Sequence, residues 1–186
     1  GLERMRISAN GNVGIGTTAP AQKLSVAGTI ESTSGGFKFP DNTTQTTAAG
    51  GVSPSFSVHK NGTNQTFVTT TWTKLTWSTE EWDINNNFAG DKFTPTVAGK
   101  YILTAGAEWL SNPENHVISI YKNGSAYKNT GMYIASVSTA SNWITAEVDA
   151  NGTTDYFEVY IYQASGSDKT LNGLSTYTYF QGHKLP

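Results

Sequence analysis

The chain has 186 residues, of which 14% are charged and none is cysteine, and its formal net charge is −2. This low and balanced charge provides no basic stripe, so we expect no nucleic-acid partner. The apolar runs fall well short of the ~18 residues that a membrane-spanning helix needs, so we expect no membrane insertion. Thr, Ser, Asn and Gly take the place of many charged residues, and this composition favours turns and short strands.

Residues 1–51 differ in composition from the rest of the chain. They contain nine glycines but only two of the 22 aromatic residues, Phe37 and Phe39. Two short runs, Met5–Ser8 and Lys23–Val26, alternate as β-strands do, and each is followed by a glycine that can form a turn. A segment with so few large side chains cannot bury a core by itself, so we predict that it packs against copies of itself.

Two motifs in this region carry a specific resemblance. The sequences RISANGNVGIGTTAPAQKLSVAGTIES and GGFKFPDNTTQTTAA resemble modules of phage tail fibres and of bacterial surface fibres, with Asn42 where the second module usually has glycine. The resemblance implies that residues 1–51 form a trimeric, intertwined shaft segment. Gly14–Ala19 also fits the dinucleotide pattern G-x-G-x-x-G/A, but Pro20 follows at once and no helical period comes after it, so we exclude nucleotide binding.

The second region, residues 52–186, has the composition of a compact domain. All five tryptophans lie after residue 70, and the stretch Ala48–Gly51 before Pro54 is typical of a linker. From Ser55 onward the apolar residues recur with a period of two, and Asn-Gly pairs that suit tight turns separate the runs. The pattern predicts many short strands in an all-β sandwich or double-sheet jelly roll, with no long helix.

Particular runs define the predicted strand faces. One face consists of Tyr101, Leu103, Ala105 and Ala107 and ends at Trp109. Another consists of Ile144, Ala146 and Val148. A third strand alternates Phe157, Val159 and Ile161 with a tyrosine-bearing face, Tyr156, Tyr160 and Tyr162. Alternation of this kind is expected where one side of a sheet faces a core.

Four segments of this region, in order, resemble the C1q domain: NNNFAGDKFTPTVAGKYILTA, ISIYKNGSAY, TTDYFEVYIYQ and YTYFQGHKLP. In the last, Phe180 and Gly182 occupy the Phe-x-Gly positions of the family's closing strand. The resemblance implies a jelly roll in a compact trimer, with ligand recognition on its outer loops. The predicted fold class is therefore all-β, a C1q/TNF-like jelly-roll sandwich at residues 52–186 preceded by a short glycine-rich trimeric fibre segment at residues 1–51.

Catalytic and metal-binding patterns are weak. The three histidines lack the spacing of metal ligands, and no serine lies in a G-x-S-x-G motif. Glu81 and Asp83 could share a strand face as a glycosidase pair would, but solvated loop acids are the favoured interpretation. We predict no cofactor and no enzyme activity, with calcium left open at three acids near turns: Asp149, Asp155 and Asp168.

The resemblances together imply a function. They imply a non-enzymatic homotrimeric fibre tip on a virion tail, outside the cell, that recognises a glycan or protein receptor on the surface of a bacterial host. One alternative is a purely structural knob that caps and registers a trimeric fibre. A more distant alternative is an enzyme that degrades a surface polysaccharide. Because function rests mainly on resemblance, the alternatives remain open.

Sugar recognition pairs aromatic rings with amide and hydroxyl groups, and this pairing predicts the candidate ligand-binding residues. Two polar clusters meet this condition: Trp109, Asn112 and Asn115 in one, and Tyr127, Asn129 and Tyr133 in the other. For Trp109 and Tyr133 the alternative is that they fill the core or a subunit interface. The predicted trimer interface comprises Trp143, Tyr177, Tyr179 and Phe180.

Overall fold

The structure is a computed structural model that describes residues 4–45, 53–135 and 138–186. All regular elements in these ranges are β-strands, and contacts divide the chain into two compact units, Gly1–Gly51 and Val52–Pro186. None of the described segments forms a helix long and apolar enough to cross a membrane. The predicted linker at residues 48–51 lies outside the described residues.

The first unit contains a three-stranded sheet of β1 (Met5–Ile7), β2 (Val13–Ile15) and β3 (Leu24–Val26). β1 pairs antiparallel with β2, and β2 pairs parallel with β3. Because side chains alternate along a strand, the register places apolar residues together on one face. This apolar face consists of Met5, Ile7, Val13, Ile15, Leu24 and Val26.

The opposite face of this sheet is covered by its own chain. A Cβ on Gly14 would lie 2.5 Å from the carbonyl oxygen of Thr17, so only glycine fits beneath the turn that folds back there. Arg6 Nη1 donates to the Thr18 carbonyl at 2.7 Å, and Asn12 Nδ2 donates to the Pro20 carbonyl at 3.1 Å. The motif thus shields the polar face and leaves the apolar face without such cover.

A separate hairpin of β4 (Phe37–Lys38) and β5 (Thr44–Gln45) follows in the first unit. Asn42 in its turn has a φ of 68°, in the left-handed region that asparagine tolerates better than most residues. The Asp41 carboxylate accepts hydrogen bonds from the backbone N and the Oγ1 of Thr43, at 2.9 and 2.6 Å. These contacts explain how asparagine can occupy a position where the similar fibre module has glycine.

The second unit consists of two antiparallel sheets. The larger has seven strands: β6 (Ser55–His59), β7 (Gln65–Phe67), β9 (Thr79–Ile84), β10 (Gly99–Trp109), β13 (Ala140–Ala150), β15 (Lys169–Leu171) and β16 (Tyr179–Lys184). They run in the order β7-β15-β10-β16-β6-β9, and β13 pairs with the whole of β10. The smaller has four strands in the order β12 (Ser125–Tyr133), β11 (Asn115–Lys122), β14 (Phe157–Gln163) and β8 (Thr73–Lys74).

The hydrophobic core lies between these two sheets. Its centre is a group of rings in which Phe56 lies 4.3 Å from Phe93 and 4.9 Å from Phe180, measured between centroids. The predicted inward residues of β10, from Tyr101 to Trp109, are all buried. Each large apolar side chain buried in this way contributes about 1.5–3 kcal/mol. The predicted all-β jelly-roll sandwich is confirmed.

Candidate functional site

The outer face of the seven-stranded sheet is flat and aromatic around Gly106. Gly106 pairs with Trp143 on one side and with Tyr179 on the other, so the three residues form a row across the sheet. A Cβ on Gly106 would lie 2.8 Å from Tyr179 Cε1, which shows that the tyrosine ring lies over the glycine. Trp143 is 64% exposed. We call the surface formed by Trp143, Gly106 and Tyr179 the flat face.

Three of the four predicted interface residues lie at or near this surface. Trp143 and Tyr179 belong to the flat face, and exposed Tyr177 lies two residues before Tyr179, the first residue of β16. Phe180 is different, because it is fully buried against Phe56 and Trp77 in the core. The prediction that Phe180 contacts another subunit is therefore wrong. It alternates with Tyr179, so the two side chains point to opposite sides of the sheet.

Two depressions lie on this sheet, and the first of them borders the flat face at Tyr179. One has a volume of about 350 Å³ and is lined by Ser57, His59, Glu81, Tyr179 and Gln181 among others. The other, of about 220 Å³, lies beside exposed Trp82 and includes Ile102 and His183. Both are shallow and mix polar with apolar groups. This side of the second unit therefore offers an exposed indole and adjoining concavities.

A second exposed surface lies on the outer face of the four-stranded sheet. The Tyr121 and Tyr160 rings stack with their centroids 4.0 Å apart. Trp72 lies 5.9 Å from Tyr121 and 5.3 Å from Tyr162, and it is 39% exposed. Burial raises the pKa of both Tyr121 and Tyr160 above the ordinary tyrosine value. We call these four residues the ring patch.

Amide and hydroxyl groups continue the ring patch across β11 and β12. Ser119 pairs with Tyr160 on one side and with Asn129 on the other, and its Oγ donates to Asn129 Oδ1 at 2.6 Å. Asn115 pairs directly with Tyr133, which is 71% exposed. The predicted residue Asn129 is thus placed beside the ring patch, while Asn115 and Tyr133 pair with each other further along the same two strands. The rings of the patch were not among the predicted site residues.

Tyr127 lies apart from this cluster. It is in β12, beyond an irregularity in the β11–β12 pairing between Ile120 and Tyr121. The Nζ atoms of Lys128 and Lys122 lie 5.1 and 5.9 Å from its ring centroid. Its exposed ring therefore already makes cation–π contacts. A role for Tyr127 in ligand binding stays a prediction.

The structure contradicts a surface role for Trp109. Its side chain is 1% exposed and makes edge contacts with Phe67 at 5.7 Å and His116 at 5.9 Å. The adjoining Asn112 donates from Nδ2 to the Ile134 carbonyl at 2.6 Å and accepts at Oδ1 from the Glu114 backbone N at 2.9 Å. Trp109 therefore fills the core, and the amide of Asn112 holds its own loop.

Gln163 holds the loop that carries Trp72 from the buried side. This fully buried side chain donates to the carbonyls of Phe67 and Ser167, at 3.0 and 2.9 Å. The Thr70 backbone N donates to the Gln163 carbonyl at 2.7 Å. Thr70 has a φ of 58°, which is unfavourable for a β-branched residue. Strain of this kind persists only where surrounding contacts determine the conformation, so the position of Trp72 is imposed by its neighbours.

The acids considered for calcium are engaged with nitrogen donors. Asp155 accepts from Lys122 Nζ at 2.9 Å, Asn123 Nδ2 at 2.8 Å and the Asn151 backbone N at 3.0 Å. Hydrogen bonds, that from Asn123 above all, lower the pKa of Asp155. Asp149 lies 3.3 Å from Lys100 Nζ. Asp155 thus joins two Asn-Gly turns, and the arrangement favours a structural role for this carboxylate over cation binding.

The acids considered for catalysis are also engaged. Asp83 accepts from the backbone N atoms of Asn87 and Phe88, at 3.0 and 2.8 Å, and so fixes the loop after β9. Glu81 accepts from Ser57 Oγ at 3.0 Å. Across the described residues, no group of three His, Asp or Glu side chains is arranged to hold a metal ion.

Comparisons with known proteins agree with the fold of the second unit. No protein-family model and no curated protein matches the sequence. Among solved structures, the crystal structure of murine APRIL at pH 5.0 is similar with a TM-score of 0.58 and 13% identity, covering 72% of this chain and 99% of that one. The globular domain of zebrafish complement 1qA protein has a TM-score of 0.55 and 14% identity, covering 72% and 98%.

A third similar structure is the Eiger TNF from S. frugiperda, with a TM-score of 0.52 and 12% identity over 72% of this chain and 93% of that chain. The similar structures thus include both a complement 1q protein and a TNF protein, the two kinds of domain named in the sequence prediction. They show that the chain has a C1q/TNF-like jelly roll, and at such low identities they show the fold alone.

Proposed function

We propose that this chain is a homotrimeric, non-enzymatic fibre tip that acts outside the cell, on a virion tail fibre, and recognises a receptor on a bacterial surface. The proposal joins three elements: self-association of the first unit, self-association of the second unit, and a recognition surface on the second unit. Each has its own support in the residues.

The apolar face of the first unit carries the proposal. Met5 is 64% exposed, Ile7 71% and Leu24 56%, although all three lie on the same side of one small sheet. Water contact with so many apolar side chains is unfavourable, at about 25 cal/mol for each Å². Copies of the same sheet, arranged around one axis, would cover each other's apolar faces. The motifs of this region resemble trimeric fibre modules, which supports three copies.

The flat face supports association of the second unit. Trp143 projects from β13 next to a low surface that Gly106 and Tyr179 create, with depressions beyond it. A projecting indole and a nearby concavity on one molecule suit head-to-tail contacts that close into a ring. The C1q/TNF-like fold of this unit accords with such a trimer. Exposed aromatic residues are also typical of interface centres.

The ring patch supports recognition. It lies on the other sheet from the flat face, so a trimer formed through the flat face leaves it accessible. Rigid aromatic residues surrounded by amides and hydroxyls are typical of recognition surfaces. The engagement of Glu81, Asp83 and Asp155 in structural hydrogen bonds supports the non-enzymatic part of the proposal.

The proposal is tested with the full chain in two measurements. Sedimentation equilibrium at micromolar concentration should give three times the 20.0 kDa of one chain, and a stable monomer would refute the trimer. Fluorescently labelled protein should then adsorb to some bacterial strains and not to others in a panel. A trimer that adsorbs to none would instead support the structural knob that only caps a fibre.

A further inference from the structure

We infer that the ring patch of the second unit is a binding site for an uncharged saccharide, with Trp72 as its stacking platform. The inference deepens the proposed function and rests on it, because it names the chemical class of the receptor and the surface that binds it. Three features of the patch carry it: the geometry of the rings, the free hydroxyls and the local charge.

The rings provide an ordered platform. Tyr121 and Tyr160 stack on each other at an interplanar angle of 21°, and Trp72 leans against Tyr121 and Tyr162 at 55° and 39°. One side of the indole therefore packs on tyrosines, while 39% of Trp72 remains exposed. An indole fixed in this way presents a flat surface with little conformational entropy left to lose, and the C–H face of a sugar ring can stack on it.

Polar groups that match sugar hydroxyls surround the platform. The hydroxyls of Tyr121, Tyr160 and Tyr162 make no hydrogen bond with any residue that the structure describes. The Asn129 amide lies on the same face, where its Oδ1 accepts from Ser119 Oγ and its Nδ2 is available to a ligand. A dry protein partner would leave such groups unsatisfied at a cost of about 1–3 kcal/mol each. A polyhydroxylated ligand can hydrogen bond to all of them.

The charge of the patch selects among saccharides. The register places Lys74 opposite Tyr160 and Glu158 opposite Tyr121, and the two charged groups pair with each other at 2.7 Å. The rings, the amide and the hydroxyls are neutral. The patch therefore has no unpaired cation to attract an acidic sugar, and its charge complements an uncharged one.

Buried hydrogen bonds fix the loop that carries Trp72. Gln163 is fully buried and its side chain also accepts from the backbone N and Oγ of Ser165, at 2.9 and 2.8 Å. Its backbone carbonyl accepts from the Thr70 backbone N, so Gln163 connects the end of β14 to the strained turn at Thr70, two residues before Trp72. Gln163 is a positioning residue, since it does not reach the exposed face itself.

The test uses the full chain and monovalent uncharged oligosaccharides built from glucose, galactose, mannose or fucose, with sialylated and uronic-acid oligosaccharides as charged counterparts. Binding is measured by saturation-transfer NMR and calorimetry. We expect at least one uncharged oligosaccharide to bind and Trp72→Ala to weaken it about tenfold or more, as loss of a stacking platform does. Trp72→Phe keeps a ring and should recover most of the affinity.

Trp82→Ala is the matched control, because Trp82 is 44% exposed but lies on the seven-stranded sheet. Its affinity for the oligosaccharide should equal that of the wild type. Equal affinity in Trp72→Ala, preference for the acidic sugars, or no binding to any uncharged sugar would each overturn the inference. If the wild-type trimer adsorbs to cells in those cases, the proposed function stands with a different receptor or a different site. If the wild-type trimer adsorbs to no bacterial strain, the proposed function itself is refuted.

Discussion

In the first unit the apolar residues lie on one exposed side of a small sheet, whereas in the second unit the apolar residues pack between two sheets. The strands of the first sheet have three residues each, and among the described residues of this unit no layer covers its apolar face. In the second unit, β10 and β13 have 11 residues each and support a core of stacked rings. Small isolated sheets need a covering layer to be stable. The comparison indicates that one unit depends on its own core and the other on its copies.

Truncation of one aromatic residue in each unit should have the most unequal effects on stability. Phe56→Ala removes a fully buried ring that contacts Phe88, Phe93 and Phe180. We expect the free energy of unfolding of the second unit to fall by about 3–5 kcal/mol. Phe37→Ala, which truncates a ring 47% exposed in the first unit, should leave this value nearly unchanged. Urea unfolding followed by tryptophan fluorescence measures both, and equal effects would refute the assignment of the core.

A second prediction concerns self-association. Ile7→Asp places a carboxylate on the apolar face, and Trp143→Asp places one on the flat face. Each should raise the concentration at which half of the trimer dissociates by about a hundredfold, because burying an unpaired charge costs several kcal/mol. Sedimentation velocity over a range of concentrations measures the change.

Matched controls keep this prediction specific. Ser25→Asp lies on the opposite side of the first sheet, and Tyr133→Asp replaces an equally exposed aromatic residue of the second unit outside the flat face. Both variants should assemble as the wild type does. If Ile7→Asp assembles normally while Trp143→Asp does not, the second unit alone drives the association.

A third and smaller effect is expected from backbone strain. The described left-handed positions of the first unit are glycines or Asn42, but the second unit uses Thr70, a β-branched residue. Thr70→Gly should raise the free energy of unfolding by about 1 kcal/mol, since relief of strain exceeds the added freedom of the unfolded chain. Asn42→Gly should change stability by a few tenths of a kcal/mol at most. A loss of stability in Thr70→Gly would show that the threonine side chain contributes more than its strain costs.

The smallest effect at neutral pH comes from the titration of His116. Burial lowers the pKa of His116, and the backbone of Glu114 opposes this shift only in part. The His116 side chain takes up a proton near pH 6.5 in the unfolded chain but not in the folded one, so its contribution to stability is constant above that pH and falls as the pH drops below it. His116→Phe should reduce this slope in urea unfolding measured between neutral pH and pH 5. An unchanged slope would assign the acid sensitivity to other groups.

Much of the second unit could be predicted from alternation alone. In β10 and β13 the apolar residues recur at every second position, and the pairing of the two strands keeps those positions on one side. The same parity already placed Trp109 with Leu103 and Ala107, so its burial followed from the pattern. Its location at the end of a strand suggested exposure, but the strand continues through Trp109, and the loop begins only afterwards.

The ring patch could be predicted only in part. The alternation in β14 identified a face bearing Tyr160 and Tyr162, but Trp72 and Tyr121 join it from distant parts of the chain. Their contact depends on the order β11-β14-β8, which periodicity does not specify. The strands could therefore be predicted from periodicity, but predicting the site requires knowledge of the strand order as well.

The Asn-Gly turns have a consequence for how the protein ages. An asparagine before glycine loses ammonia when the glycine backbone nitrogen attacks its side-chain carbonyl carbon, and glycine offers no side chain to hinder the attack. In the first unit, Asn10 before Gly11 accepts hydrogen bonds from Ser8 Oγ and the Asn12 backbone N. In three of the four Asn-Gly turns of the second unit the asparagine side chain is likewise held in place. Asn123 bonds to Asp155 and Tyr156, Asn151 to the backbone of residues 153–155, and Asn172 to Glu108 and Leu174.

Asn61 differs from these three, because its side chain makes no hydrogen bond within the described part of the chain. It lies in the exposed turn after β6, where no described contact holds its amide, and the Gly62 nitrogen becomes free to attack when its 2.6 Å hydrogen bond to the Gly173 carbonyl opens. During long storage the first deamidation is therefore expected at Asn61. Water then opens the cyclic imide to aspartate or isoaspartate, so a negative charge would accumulate at this turn while the turns built on Asp155 stay chemically intact.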